Sequence, residues 1–185
     1  MGINALTVEV EVNVSPGIGM YLVGLPDNAV KESQERIRSA FENSGLRMVG
    51  KKMVVNLAPA DLKKEGSALD LPIAIAILAA TEQIPSEELA GWVIAGELSL
   101  DGSIKPIRGA LPMAIEALGK GFRGMIIPEA NADEAAVVEG LDVVGVASLR
   151  EAVDFIAGTA PSAPRRVSLH SHSDSDIWQL RQHHR

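Results

Sequence analysis

From Leu6 to Val14 the chain alternates without a break, with Leu6, Val8, Val10, Val12 and Val14 on one side and Thr7, Glu9, Glu11 and Asn13 on the other. A period of two predicts a β-strand with one wet face, closed by Ser15-Pro16-Gly17. A second strand is predicted over Tyr21 to Leu25, and the Pro-Gly turn between the two predicts that they pair as a hairpin. The period then changes. Val30, Ile37, Ala40 and Phe41 keep helical spacing behind Asp27 or Asn28, either of which suits an N-cap, and Asn43-Ser44-Gly45 ends that helix.

Lys52 to Leu57 reads as a strand, and Leu69 to Ala80 is apolar nearly all round, which predicts a helix buried on most sides. Pro72 fits its first turn, where a missing N–H costs nothing. Gly91 to Gly96 and Ser103 to Ile107 read as strands on either side of a Leu100-Asp101-Gly102 turn. Leu111 to Leu118 is a helix closed by Gly119 and Gly121, Gly124 to Ile127 a short strand stopped by Pro128, and Asn131 to Val138 a helix. Asp142 to Val146 is a strand, and Ser148 caps a last helix through Ala157. The alternation of helices and strands predicts an α/β (α+β) fold, with helices packed on one sheet, for residues 1–158. From Thr159 the composition predicts a linker and a disordered polar tail, 159–185.

Composition sharpens this picture. The chain has 185 residues, 46% of them apolar, but its aromatics are only Tyr21, Phe41, Trp92, Phe122, Phe155 and Trp178. The core must be aliphatic. No cysteine is present, so neither disulfides nor Cys-ligated metals enter. No apolar run reaches the ~20 residues that cross a bilayer, and no signal-like start is seen, which predicts a soluble, cytoplasmic protein without a membrane partner.

A net charge of −7 argues against a globally basic nucleic-acid binder. A local basic set nonetheless falls within one third of the chain: Arg36, Arg38, Arg47, Lys51, Lys52, Lys63 and Lys64. It reads either as a solvated surface or as a patch facing DNA or a neighbouring subunit.

The polar loop before the apolar helix, Lys63-Lys64-Glu65-Gly66-Ser67-Ala68-Leu69-Asp70, is the main candidate for chemistry. Ser67 becomes a nucleophile if a base such as Lys105 lies beside it. The simpler reading makes Ser67 and Asp70 the cap of the helix, with Gly66 permitting the tight turn, because Ser-x-x-Asp before an apolar run is a capping signature. Glu97 and Asp101 flank a turn that Asp101-Gly102 explains as turn chemistry. His170-Ser171-His172 in the tail supports adventitious metal binding at most. No G-x-x-x-x-G-K-[ST] and no G-x-G-x-x-G occurs, so no nucleotide site and no cofactor is placed on these residues.

Several short segments, in one order, carry a family resemblance: Tyr21-Leu22-Val23-Gly24-Leu25-Pro26, Ala29-Val30-Lys31-Glu32, Arg36-Ile37-Arg38-Ser39-Ala40, Val54 through Gly66, Asp70-Leu71-Pro72-Ile73-Ala74-Ile75, Gly96-Glu97-Leu98, Arg108-Gly109-Ala110-Leu111-Pro112 and Ile127-Pro128-Glu129-Ala130-Asn131. From about Leu6 to Gly158 the chain resembles the N-terminal domain of the Mg-chelatase-like, ComM/YifB-type ATPases. The resemblance implies a fold like that of the Lon-protease α/β domain, also found in ribosomal small-subunit proteins. It also implies an adjoining AAA+ module that uses ATP and Mg, hexameric assembly, and a part in DNA branch migration, recombination and natural transformation.

Two departures shape the expectation. The AAA+ phosphate loop is absent, as expected of an excised domain, a fragment or a truncated paralogue. The Lon comparison sets the protease's nucleophile near Ala68 and its lysine near Leu111, and neither residue can do that chemistry. A non-catalytic domain that packs subunits and contacts DNA is the expectation. A degenerate Ser–Lys hydrolase and a purely structural scaffold are the alternatives.

Overall fold

The computed structural model describes residues 2–5, 8–58, 66–87, 89–158 and 166–167. The strands are β1 (Gly2–Ala5), β2 (Val8–Ser15), β3 (Gly19–Val23), β4 (Lys52–Ala58), β5 (Trp92–Ile94), β6 (Glu97–Leu98), β7 (Ile104–Lys105), β8 (Gly124–Pro128), β9 (Asp142–Val146) and β10 (Arg166–Val167). The helices are α1 (Asp27–Asn43), α2 (Asp70–Ala80), α3 (Ala110–Gly119), α4 (Ala132–Ala136) and α5 (Leu149–Ala157). Eight strands form one mixed sheet in the order β10-β9-β8-β5-β1-β2-β4-β3, and β6 and β7 make a separate small hairpin.

Side-chain alternation divides the core in two. Val10, Val12, Met53, Val55, Ile94 and Ile126 point to one face, where α1, α2 and α5 cover them. Val93, Met125, Ile127 and Val143 point to the other, where α3 and α4 lie over them through Ala114, Ala117, Ala132 and Ala135. Alanines bring those helices close to the strands. Helix α2 is buried from Asp70 to Ala79, as its all-apolar sequence predicts. On the second face no helix among the described residues lies over the half of the sheet made by β2, β4 and β3, and Glu9, Glu11, Asn13, Tyr21 and Val23 are exposed.

The predicted mixed α/β architecture is therefore present, but the hairpin between the first two long strands is not. β2 and β3 run antiparallel to each other, yet β4 sits between them, antiparallel to β2 and parallel to β3. Insertion gives β4 two paired edges, seven residue pairs with β2 and five with β3. A direct hairpin would leave one of those edges bare. Gly24 makes the exit from β3 work. Its φ is +112°, and a Cβ there would lie 2.6 Å from the Leu57 carbonyl oxygen.

The second predicted hairpin is also redrawn. Trp92–Ile94 joins the main sheet beside β8, and only Glu97–Leu98 pairs with Ile104–Lys105 around the Asp101-Gly102 turn. Asp101 closes that turn by accepting from the Ser103 amide at 2.9 Å and its hydroxyl at 2.7 Å. These bonds hold its carboxyl below the ordinary value.

Caps behave unevenly. Ser148 caps α5 by accepting from the Glu151 amide at 3.1 Å, as predicted. Helix α1 starts after Pro26 with no side-chain cap, so neither Asp27 nor Asn28 takes that role. Helix α2 ends in a left-handed turn at Glu82 (φ +60°), with the Gln83 amide bonded back to Leu78 O at 2.8 Å. That position ordinarily belongs to glycine. Arg166–Val167 pairs with β9, and the rest of the predicted tail lies outside the described residues. No helix among the described residues is long and apolar enough to cross a membrane.

Two outcomes test these backbone assignments. Gly24→Ala is expected to cost about 2–3 kcal/mol through the strained φ and the Leu57 clash, read as a lower urea midpoint at unchanged slope. Glu82→Gly is expected to stabilise by about 1 kcal/mol, seen as a raised thermal midpoint.

Candidate functional site

The polar centre of the domain is one carboxylate. Asp70 opens α2, its side chain is fully buried, and three elements converge on it. From α1, Ser33 Oγ donates to Oδ1 at 2.8 Å, while Arg36 donates through Nε to Oδ2 at 2.5 Å and through Nη2 to Oδ1 at 3.0 Å. From β6, the Leu98 amide donates to Oδ2 at 3.1 Å. Four donors on two oxygens satisfy the group. Burial pushes the Asp70 carboxyl above its ordinary value, against the pull of Arg36, Ser33 and the Leu98 amide, and the hydrogen bond to Asp70 raises the Arg36 guanidinium in turn.

This geometry corrects the capping expectation. Asp70 does not cap its own helix: the N-cap position is Leu69, no side chain caps it, and Gly66–Leu69 forms a 3₁₀ turn that runs straight into α2. The neighbouring backbone is instead tied to the link between β5 and β6, Leu71 N to Gly96 O and Gly96 N to Ala68 O, each at 2.9 Å. A carboxylate was drawn away from the helix end because three donor groups on α1 and one on β6 offered more than the local amides. The carboxylate and the occupied Leu71 amide also leave this helix start unsuited to a phosphate. The sequence has no G-x-x-x-x-G-K-[ST] phosphate loop, and no group of three or more metal-ligating side chains occurs among the described residues.

Ser67 and Lys105 do not form a dyad. Ser67 is exposed, no hydrogen bond joins it to Lys105, and the Lys105 ammonium lies 3.9 Å from Glu97. Of the basic set, Arg36 is committed to Asp70 and only 20% exposed, whereas Arg38, Arg47, Lys51 and Lys52 are exposed. Lys52 also stands 5.6 Å over the Tyr21 ring. Lys63 and Lys64 lie outside the described residues.

The chain matches the family described as subunit ChlI of Mg-chelatase over residues 10–131. It belongs to that family. The protein YifB of Escherichia coli is 43% identical over 159 residues, covering 85% of this chain and 31% of YifB. The competence protein ComM of Haemophilus influenzae matches to the same degree, 43% over 159 residues, with the same coverage of 85% and 31%. Lon protease 2 of Bacillus subtilis is a distant match, 24% identical over 146 residues, 78% of this chain and 26% of the protease. The chain thus spans about a third of the length of its ChlI-family relatives.

Several residues of the resemblance now have physical roles within the ChlI-type domain. Gly24 permits the β3 exit, and Arg36 and Asp70 are the two ends of the buried ion pair. Asn131 clamps the entry to α3, accepting from the Ile107 amide and donating to the Ile107 carbonyl, both at 2.9 Å, with a further bond to Glu134 at 2.8 Å. Sequence reasoning missed the Ser33–Arg36–Asp70 cluster. The available signal was Asp70 itself, an acid at the head of a helix buried all round, which obliges a partner elsewhere.

Removing either end of the pair is expected to be severe. Asp70→Ala and Arg36→Ala should each cost about 3–5 kcal/mol, because each leaves the other charge unpaired. The double variant should cost much less than the sum. Urea denaturation of the four proteins in one cycle checks this.

Proposed function

We propose that this is a non-catalytic domain of a ComM-like AAA+ ATPase related to Mg-chelatase, which contributes subunit packing and DNA contact in branch migration, recombination and natural transformation. The observation that carries this reading is how the domain's polar groups are used. The one buried acid among the described residues, Asp70, and its partner arginine are consumed in holding three elements together. The Lon resemblance sets the protease's nucleophile near Ala68 and its lysine near Leu111, residues without the chemistry for either part. What remains available is surface. The exposed cations Arg38, Arg47, Lys51 and Lys52, joined in sequence by Lys63 and Lys64, form the contact set, and Arg36 drops out of it because Asp70 neutralises its charge.

The relatives are about three times the length of this chain, which leaves room for the rest of the reading. The motor is an AAA+ module outside these residues, using ATP and Mg, assembled as a hexamer and working in the cytoplasm. The competence protein ComM among the relatives agrees with a part in natural transformation. Cations on an acidic chain give a contact that is local and electrostatic rather than global.

Binding to single-stranded and branched oligonucleotides, followed by fluorescence anisotropy, is expected to weaken steeply with salt, with log K falling by about 0.7–0.9 per phosphate contact in log salt. Charge reversal at Lys51 and Lys52, or at Lys63 and Lys64, should weaken binding and flatten that slope. Salt-insensitive binding, or none at low ionic strength, would remove DNA from the reading.

A further inference from the structure

At the end of the sheet where β5 and β8 begin, a gap opens between the segment following α2 and the C-terminal turn of α5. It holds a hollow of about 300 Å³ whose apolar lining is Pro85, Leu89, Trp92, Ile126, Phe155 and Ile156, with the charged side chains of Glu87 and Arg123 on the same wall. Glycine makes room for it. A Cβ on Gly124 would lie 2.6 Å from the Trp92 ring, so the indole rests flat on β8 only because that side chain is absent. The ring is then fixed by Phe155, edge-on at 6.0 Å, and by the Arg123 guanidinium, 5.4 Å from the centroid. An aromatic wall held this way is set before anything binds, and a pre-formed hollow that combines apolar side chains with a few polar groups is the usual form of a binding site.

The charges at its mouth choose the guest. Arg123 is matched by Asp142 at 3.7 Å and by the Trp92 face. Glu87 lines the hollow and also a second, shallower one of about 380 Å³, which runs back along the chain to Glu82. Neither Glu82 nor Glu87 has an ion-pair partner among the described residues. Glu82 moreover keeps its carboxylate in a left-handed conformation where glycine would cost less. The C-terminal carbonyls of α5, near Phe155 and Ile156, add partial negative charge on the facing side.

We propose that these two adjoining hollows form one docking groove for a basic peptide segment. An apolar side chain of the segment enters beside Trp92 and Phe155, and its flanking lysine or arginine residues lie against Glu87 and Glu82. The occupant is a protein partner, selected by one apolar anchor and by positive charge on either side of it. The groove shares none of the contact cations assigned to DNA.

The test uses the full chain carrying Trp178→Phe, which leaves Trp92 as its one indole. Three peptides serve as probes: acetyl-Arg-Lys-Phe-Lys-Arg-amide, the same peptide with Ser in place of Phe, and acetyl-Glu-Asp-Phe-Asp-Glu-amide. A saturable change in Trp92 emission is expected with the first, and binding at least about tenfold weaker with the other two. Glu82→Gln with Glu87→Gln, two exposed changes checked for folding by circular dichroism, should weaken the first peptide by a similar factor. No saturable change up to about 1 mM, equal binding of the acidic or Ser peptide, or indifference to the double substitution overturns the proposal.

Discussion

A carboxylate taken fully out of water must be surrounded by donors, and Asp70 meets that demand by drawing together helix α1, helix α2 and the small β6–β7 hairpin. None of the three would be placed by apolar contact alone. Helix α2 is buried on every side and has no preferred rotation of its own, since an all-apolar cylinder slides and turns at little cost. The Asp70 bonds set its axial position and its angle. Leu71 N on Gly96 O and Gly96 N on Ala68 O then tie the same point to the link between β5 and β6. In free-energy terms the pair need not exceed what a packed apolar pair would give. Its value lies in allowing only one arrangement.

That use of polar groups accounts for the character of the whole domain. Among the described residues every buried side-chain polar atom has a partner, and the two chief polar clusters, around Asp70 and around Asn131, both bond backbone as well as side chains. They fix loops and helix starts. A catalytic group, by contrast, is held with some of its hydrogen-bonding capacity turned toward an open space. The membership in the ChlI family and the far weaker likeness to a Lon protease fit a shared scaffold on which different surfaces are used.

Much of the fold was readable because it rests on local signals. The alternation in β2, the apolar run of α2, the Ser148 cap and the glycine-closed α3 each depend on residues a few positions apart. What failed was pairing. Nothing within residues 6–25 says that a strand from residues 52–58 will come between two neighbours in the chain, because that choice is made by the backbone pairing β4 offers on both edges. The site failed for the same reason. Ser-x-x-Asp looks like a helix cap when only the nearby amides are considered, and Arg36, 34 residues upstream, outbid them. The contact cations were legible as a cluster, but the commitment of Arg36 to a buried partner was not.

The place of β1 has a consequence for how the chain is made. Among the described strands β1 comes first in the sequence, yet it lies in the middle of the sheet, between β2 and β5, and its parallel pairing with β5 is made at Val93. Synthesis must therefore pass residue 93 before the first strand can be enclosed on both edges, and β3 likewise waits for β4. Closure is non-local and late, which makes for slow folding and for a nascent chain whose alternating Val8–Val14 segment stays open to other strands meanwhile. The glutamates at 9 and 11 act as gatekeepers during that interval, since charge on every second residue discourages a stray neighbour from zipping on.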